Sequence, residues 1–126
     1  QKMEEYDGVT IMATNYVQNF DEAFKRRIKF VIDFPFPNQE QRREIWQKVF
    51  PLQLPLGELD YDYLTTRFEL SGSNIKNIAV HSAFLAAAEG DAKVEMQHII
   101  AAIRNEFAKS GKMFTKEDAG EYYMLL

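Results

Sequence analysis

GVTIMATNYVQNFDEAFKRRIKFVIDFPFP, residues 8–37, decides how the rest of the chain is read. GVTIMATN (8–15) is a β-branched and apolar run that follows a glycine and stops at an asparagine, and IKFVIDF (28–34) is a second run of the same kind. Runs that are apolar at nearly every position, rather than at alternate ones, are expected of strands covered on both faces. The segment between them is too long for a hairpin turn, and within it DEAFKRR is long enough for a short helix with Asp21 near its N-terminus. Strand, crossover, strand implies parallel neighbours. Pro35 and Pro37 donate no ladder hydrogen bond, so FPFP ends the second strand.

Beyond residue 37 the period changes from that of strands to that of helices. Asn38 is an N-cap candidate, and QEQRREIWQKVF places Ile45, Trp46, Val49 and Phe50 at helical spacing until Pro51. YDYLTTRF, with Leu59 just before it, carries Tyr63, Leu64 and Phe68 into a second short helix. SGSNIKNIAVHSAFLAAAEG reads as a third, starting near residues 71–73, with Ser73 to Asn74 as its cap and Gly90 as its C-terminal stop. Its apolar character on several sides makes it central. KVEMQHIIAAIRNEFAKSG gives a fourth, with Met96, Ile99, Ile100, Ile103 and Phe107 on one face. The tail TKEDAGEYYMLL adds a short final turn. The expected fold is therefore an α/β fragment, residues 1–37, followed by a bundle of about four helices, residues 38–126. Two parallel strands are too few for a covered sheet, which usually holds about four to six. Together with a first residue that is not Met, this reads as a piece of a longer chain.

At 126 residues and 46% hydrophobic, the chain is long enough for one ordinary core. Fifteen Lys and Arg against 19 Asp and Glu leave a net charge of −4, which provides no global field for nucleic acid or an anionic membrane. The absence of cysteine removes disulfides and thiolate metal sites, and a reducing cytoplasm is the expected compartment. His81 and His98 stand apart, with no carboxylate or second histidine at a spacing that converges, so both are expected to pack or face solvent and no metal site is expected. The aromatics fall at core periods and do not interleave with cations as a base-stacking platform requires. The charges of QEQRREIWQK are balanced by Glu40 and Glu44, which argues against a DNA-reading helix.

Four elements in order, TIMATN, DEAFKRRI, DFPFP and LSGSNIKNI, resemble the second half of an AAA+ ATPase module, and the resemblance covers nearly the whole chain. It implies that residues 1–37 end a parallel nucleotide-binding sheet and that 38–126 form the helical lid. It also implies that Asn15 is the sensor 1 residue that positions water at the terminal phosphate of ATP. An amide at the end of a buried parallel strand suits that role, because it donates to a phosphate oxygen and accepts from water at once. An asparagine that simply makes a turn is the plain alternative. Arg27 stands where the family's arginine finger stands, with Arg26 as the adjacent candidate; a guanidinium there stabilises charge on the transferred phosphoryl group of a neighbouring subunit. Pairing of these arginines with Asp21 or Glu22 is the structural alternative.

The resemblance further assigns Gly72, Ser73 and Lys76 to the turn that meets the nucleotide. There are departures. Phe30 replaces a second finger, and Lys76 lies one position from the commonest sensor 2 spacing, so it also reads as a solvated cation. No G-x-x-x-x-G-K-[ST] occurs, nor an apolar run ending in Asp-Glu to hold Mg²⁺. ATP and Mg²⁺ are therefore expected of the parent protein and not of this fragment, which alone is expected to be inactive. A homo-oligomeric ring, a hexamer in the parent by the family's habit, and an unidentified macromolecular substrate complete the expectation. A stand-alone helical interaction module without nucleotide chemistry is the alternative.

Overall fold

The computed structural model describes residues 8–14, 20–33 and 35–125, in two compact units that divide between Pro35 and Phe36. In the first unit, α1 spans Glu22–Lys25 and is capped by Asp21, whose Oδ1 accepts from the Phe24 amide at 2.7 Å. The runs expected as strands form none among the described residues. Val9, Ile11, Phe30, Val31 and Ile32 are exposed instead. The physical reason is backbone pairing: a strand needs a neighbour for its N–H and C=O groups, and the described residues of this unit supply none.

The second unit is built from helices whose ends are written in the sequence. Asn38 opens α2 (Gln39–Val49) with a reciprocal capping box, its Oδ1 accepting from the Gln41 amide and Gln41 Oε1 accepting from the Asn38 amide, both at 2.9 Å. Asp60 caps α3 (Tyr61–Arg67) through the Tyr63 amide. α4 (Gly72–Glu89) closes at Gly90, whose φ of 74° is the left-handed conformation that glycine takes without a steric penalty. α5 (Met96–Lys109) returns beside α4, and α6 (Lys116–Ala119) runs into a 3₁₀ helix, Gly120–Leu125. The two connecting loops touch where Leu56 and Val94 form a single parallel bridge, Gly57 donating to the Val94 carbonyl and Val94 to the Pro55 carbonyl.

One core fills this unit. α4 and α5 share the most extensive contact, and α2 meets both α3 and α4. Ile75 and Ile78 of α4, Ile99, Ile100 and Ile103 of α5, Trp46 of α2 and Leu64 of α3 have no exposed surface. Phe68 lies edge-on to Tyr63 and Phe107 and stacks on Phe114, at centroid distances of 5.5 to 6.0 Å. Val80 and Phe84, one turn apart on α4, face outward, and Phe84 is 70% exposed. No helix among the described residues is long and apolar enough to cross a membrane.

Truncating Ile103 to Ala is expected to cost about 2–5 kcal/mol, because the cavity is walled on every side. Phe84→Ala is expected to change stability by no more than about 0.5 kcal/mol. Urea unfolding of both variants, followed by circular dichroism, checks the contrast.

Candidate functional site

The residues singled out from the sequence fall on two turns. Asn15, the sensor 1 candidate, lies outside the described residues. Arg26 and Arg27 directly follow α1, where the Arg26 amide donates to the Glu22 carbonyl and the Arg27 amide to the Phe24 carbonyl, both at 3.1 Å. Both residues are exposed. Cations suit a helix C-terminus, where the carbonyls carry partial negative charge. Of the two acids considered as their partners, Asp21 caps the helix and Glu22 stands 3.7 Å from Lys25 Nζ.

The second turn is the start of α4. Ser71, and not Ser73 or Asn74, is its N-cap: Ser71 Oγ accepts from the Asn74 amide at 3.1 Å, and Asn74 Oδ1 accepts from the Ser71 amide at 3.2 Å. The expected cap was displaced by two residues because Asn74 serves the box as its third-position partner. Asn74 Nδ2 also donates to Glu106 Oε1 of α5, as does Asn77 Nδ2, which pins the beginning of α4 to its neighbour. Gly72, Ser73 and Lys76 are left on the exposed side of this first turn. A Cβ on Gly72 would meet nothing nearer than Ile45 Cδ1 at 3.9 Å, an ordinary contact. Among the described residues, neither the backbone nor the packing requires a glycine there.

Two features escaped the sequence reading. Arg42, one of the cations of QEQRREIWQK, is buried: Nη1 donates to the Pro37 carbonyl and Nη2 to the Thr65 carbonyl, each at 2.8 Å. The signal was present, since Arg42, Ile45, Trp46 and Val49 follow the i, i+3, i+4, i+7 register of the inward stripe. The second concerns His98, expected to have no converging carboxylate. Its Nε2 lies 2.7 Å from Asp91 Oδ2 and 3.2 Å from Glu89 Oε2, with the ring buried. Asp91 and Glu89 reach it because the turn at Gly90 folds the end of α4 over the start of α5. The trio resembles a metal-ligand set, yet Nδ1 accepts from the Glu95 amide at 2.9 Å. That acceptor role puts the ring proton on Nε2, where it is donated to the carboxylates, and a cation would have to displace it. The cluster is a capping box braced by acids, and it holds the α4–α5 turn.

A second cluster joins α3 to the C-terminal turns: Tyr122 Oη donates to Asp60 Oδ2, while Tyr63 Oη donates to the Asp118 carbonyl at 2.7 Å. The Tyr122 hydrogen bond, seconded by the Tyr63 amide, holds the Asp60 carboxyl below the usual carboxylate range. Burial pushes the Tyr63 phenol up to about 12, and burial with the Asp60 bond raises Tyr122 above the ordinary phenol range. These contacts fasten the C-terminal turns to α3.

Comparison with known proteins adds an independent line. No model of a protein family matches the chain. Among curated proteins it is similar to the proteasome-activating nucleotidase of Sulfurisphaera tokodaii, 32% identical over 120 residues that make up 92% of this chain and 31% of that protein. The proteasome-activating nucleotidase of Saccharolobus solfataricus is 31% identical over 121 residues, 93% of this chain and 31% of its own length. A probable 26S proteasome regulatory subunit 4 of Caenorhabditis elegans is 34% identical over 95 residues, 72% of this chain and 21% of that one. The chain spans about a third or less of the relatives it matches.

The carboxyl and phenol shifts set the pH limits of the helical unit. Asp60, lowered in the folded state, contributes stability above its unfolded value of 3.8, and that contribution is lost as pH falls through the folded value. Tyr63 and Tyr122, raised in the folded state, contribute below the ordinary phenol value of 10.0, and this is lost as pH rises from there. Tyr122→Phe is expected to cost about 1 kcal/mol near neutrality. It is also expected to shallow the decline below pH 4, as read from thermal midpoints across the range.

Proposed function

Because the chain belongs to the AAA+ ATPase family, we propose that it is the sensor, finger and lid part of an ATPase that couples ATP binding and hydrolysis to the remodelling of a macromolecule. Residues 1–37 are then the end of the α/β core and 38–126 the lid. The observation that carries this best is the first turn of α4. Gly72 lacks a side chain that the fold would accommodate, next to an exposed Ser73 and Lys76, on a helix of 18 residues whose N-terminal amides favour negative charge. A bare backbone that the chain itself does not need is what a closely approaching base or ribose requires.

In this scheme Asn15 orients water within its own subunit. Arg27, with Arg26 beside it, reaches a neighbouring subunit's nucleotide, and their exposure at the end of α1 suits action across an interface. ATP would supply the phosphoryl group and Mg²⁺ would offset its charge. The 126 residues contain no phosphate loop, so the residues that hold both belong elsewhere in the parent. Activity then requires a ring of copies, with six as the family's usual number, in the cytoplasm. The names of the relatives, which activate or regulate a proteasome, favour a protein over a nucleic acid as the macromolecule acted upon.

Two substitutions in the full-length ATPase test the assignment. Arg27→Ala is expected to leave ATP binding in place and to lower hydrolysis by about 10³-fold, the scale of a finger arginine; unchanged turnover refutes the role. Gly72→Ala is expected to leave stability unchanged or to raise it by up to about 1 kcal/mol, since Ala is the better helix former. ATP affinity should nevertheless fall at least threefold in a nucleotide-binding assay. If partner binding persists while both variants are silent toward nucleotide, the helical unit is an interaction module instead.

A further inference from the structure

We propose that Ser73 is a specificity-determining residue of the turn that meets the nucleotide. A directed chain of hydrogen bonds ending at Glu106 on α5 makes its hydroxyl an acceptor, so that it selects a nucleotide presenting an N–H or O–H group there. This rests on the nucleotide reading of the turn given above.

The direction of each bond is fixed by groups that have no choice, since a backbone N–H only donates and a carboxylate only accepts. The Ser71 amide donates to Asn74 Oδ1 at 3.2 Å, and Asn74 Nδ2 donates to Glu106 Oε1 at 3.3 Å, so one orientation of the Asn74 amide serves both. Asn74 Oδ1 also stands 2.7 Å from Ser71 Oγ and, being an acceptor, takes the Ser71 hydroxyl proton. Ser71 Oγ accepts from the Asn74 amide at 3.1 Å and lies 3.0 Å from Ser73 Oγ. With its own proton committed to Asn74, Ser71 bonds to Ser73 only by accepting. The chain therefore runs from Ser73 to Ser71 to Asn74 to Glu106, and every proton points inward.

Glu106 anchors that sense. Its side chain is only 12% exposed; Oε1 also accepts from Asn77 Nδ2 at 3.4 Å, and Lys109 Nζ lies 3.4 Å from Oε2. A charged acceptor at one end strengthens the bond next to it, and bonds in line polarise one another. At the other end Ser73 is exposed. A free serine hydroxyl offers either a proton or a lone pair, whereas this one offers lone pairs alone. A phosphate or keto oxygen, which only accepts, gains nothing from it. The exocyclic amine of adenine and the hydroxyls of ribose are donors of the right kind, and Gly72 beside it has no side chain to hold them off.

The test measures nucleotide affinity in the full-length ATPase for ATP and three analogues that each lack one donor: purine riboside triphosphate without the 6-amino group, 2′-deoxy-ATP and 3′-deoxy-ATP. One analogue is expected to bind about fivefold more weakly than ATP, the scale of one neutral hydrogen bond. Loss with the purine riboside names the base amine as the donor, and loss with a deoxy analogue names that sugar hydroxyl. In Ser73→Ala the preference should shrink to within twofold, because ATP falls to the level of the analogue. Ser71→Gly keeps the Ser73 hydroxyl and frees its proton, and glycine is a tolerated N-cap. That variant should lose at least half of the preference, with a thermal midpoint within a few degrees of the parent. A general loosening of the turn would weaken ATP and analogues alike and leave their ratio at the parental value. Equal binding of all four nucleotides by the parent overturns the proposal, as does a parental ratio in Ser73→Ala. A parental ratio in Ser71→Gly overturns the directed chain. Should Ser71→Gly not fold, the exposed Ser73→Ala substitution decides. A parent that binds no nucleotide refutes the underlying reading and this inference with it, whereas ATP bound without preference overturns this inference alone.

Discussion

The helical unit depends on the pairing of α4 with α5. Ile75 and Ile78 on one helix and Ile99, Ile100 and Ile103 on the other are wholly removed from solvent, and each such side chain contributes roughly 1.5–3 kcal/mol of burial. The pairing needs the chain to reverse between Glu89 and Met96. Gly90 permits the turn, and His98 braces it by accepting from the Glu95 amide while donating toward Asp91 and Glu89. With that hairpin closed, α2 and α3 have a surface on which Trp46 and Leu64 are buried completely.

Buried polar groups show how the interior is kept specific. Thr65 Oγ1 donates to the Tyr61 carbonyl at 2.7 Å and Ser82 Oγ to the Ala79 carbonyl at 2.8 Å, so each hydroxyl is satisfied one turn back along its own helix. His98 and Arg42 reach further, across loops and between elements, and therefore fix relative positions that apolar contacts leave adjustable. Arg42 Nε and Trp46 Nε1, four residues apart on α2, are buried with no hydrogen-bond partner among the described residues. Such unpaired donors are a destabilising term that the surrounding core has to outweigh.

The two units differ in what they need from elsewhere. A helix pairs its own backbone groups and needs a neighbour only for its apolar face, and residues 36–125 provide those neighbours for one another. An apolar strand needs partners on both edges and both faces. Residues 9–14 and 28–33 carry the composition of such strands and leave Val9, Ile11, Met12, Phe30, Val31 and Ile32 exposed, in a chain that spans about a third of its relatives' length. The site has the same division. Each unit shapes its own turn, Arg26 and Arg27 after α1 in one and Gly72, Ser73 and Lys76 at the head of α4 in the other, while a phosphate-loop motif does not occur in the sequence.

Local chemistry was legible before any coordinates. Asn38 and Gly90 announced helix ends, and the 3.6-residue period of Ile45 to Phe50 and of Met96 to Phe107 announced which faces would be buried. These signals act over three or four residues, so the sequence carries them whole. What required the tertiary structure was every contact between distant segments. Asn74, the partner of Ser71 in the capping box, also reaches Glu106 on α5. His98 met Asp91 and Glu89 because a turn brought them there. Arg42 is buried because the fold brings the carbonyls of Pro37 and Thr65 within reach of one guanidinium. A charge's place inside or outside depends on partners far along the chain, and periodicity alone cannot name them.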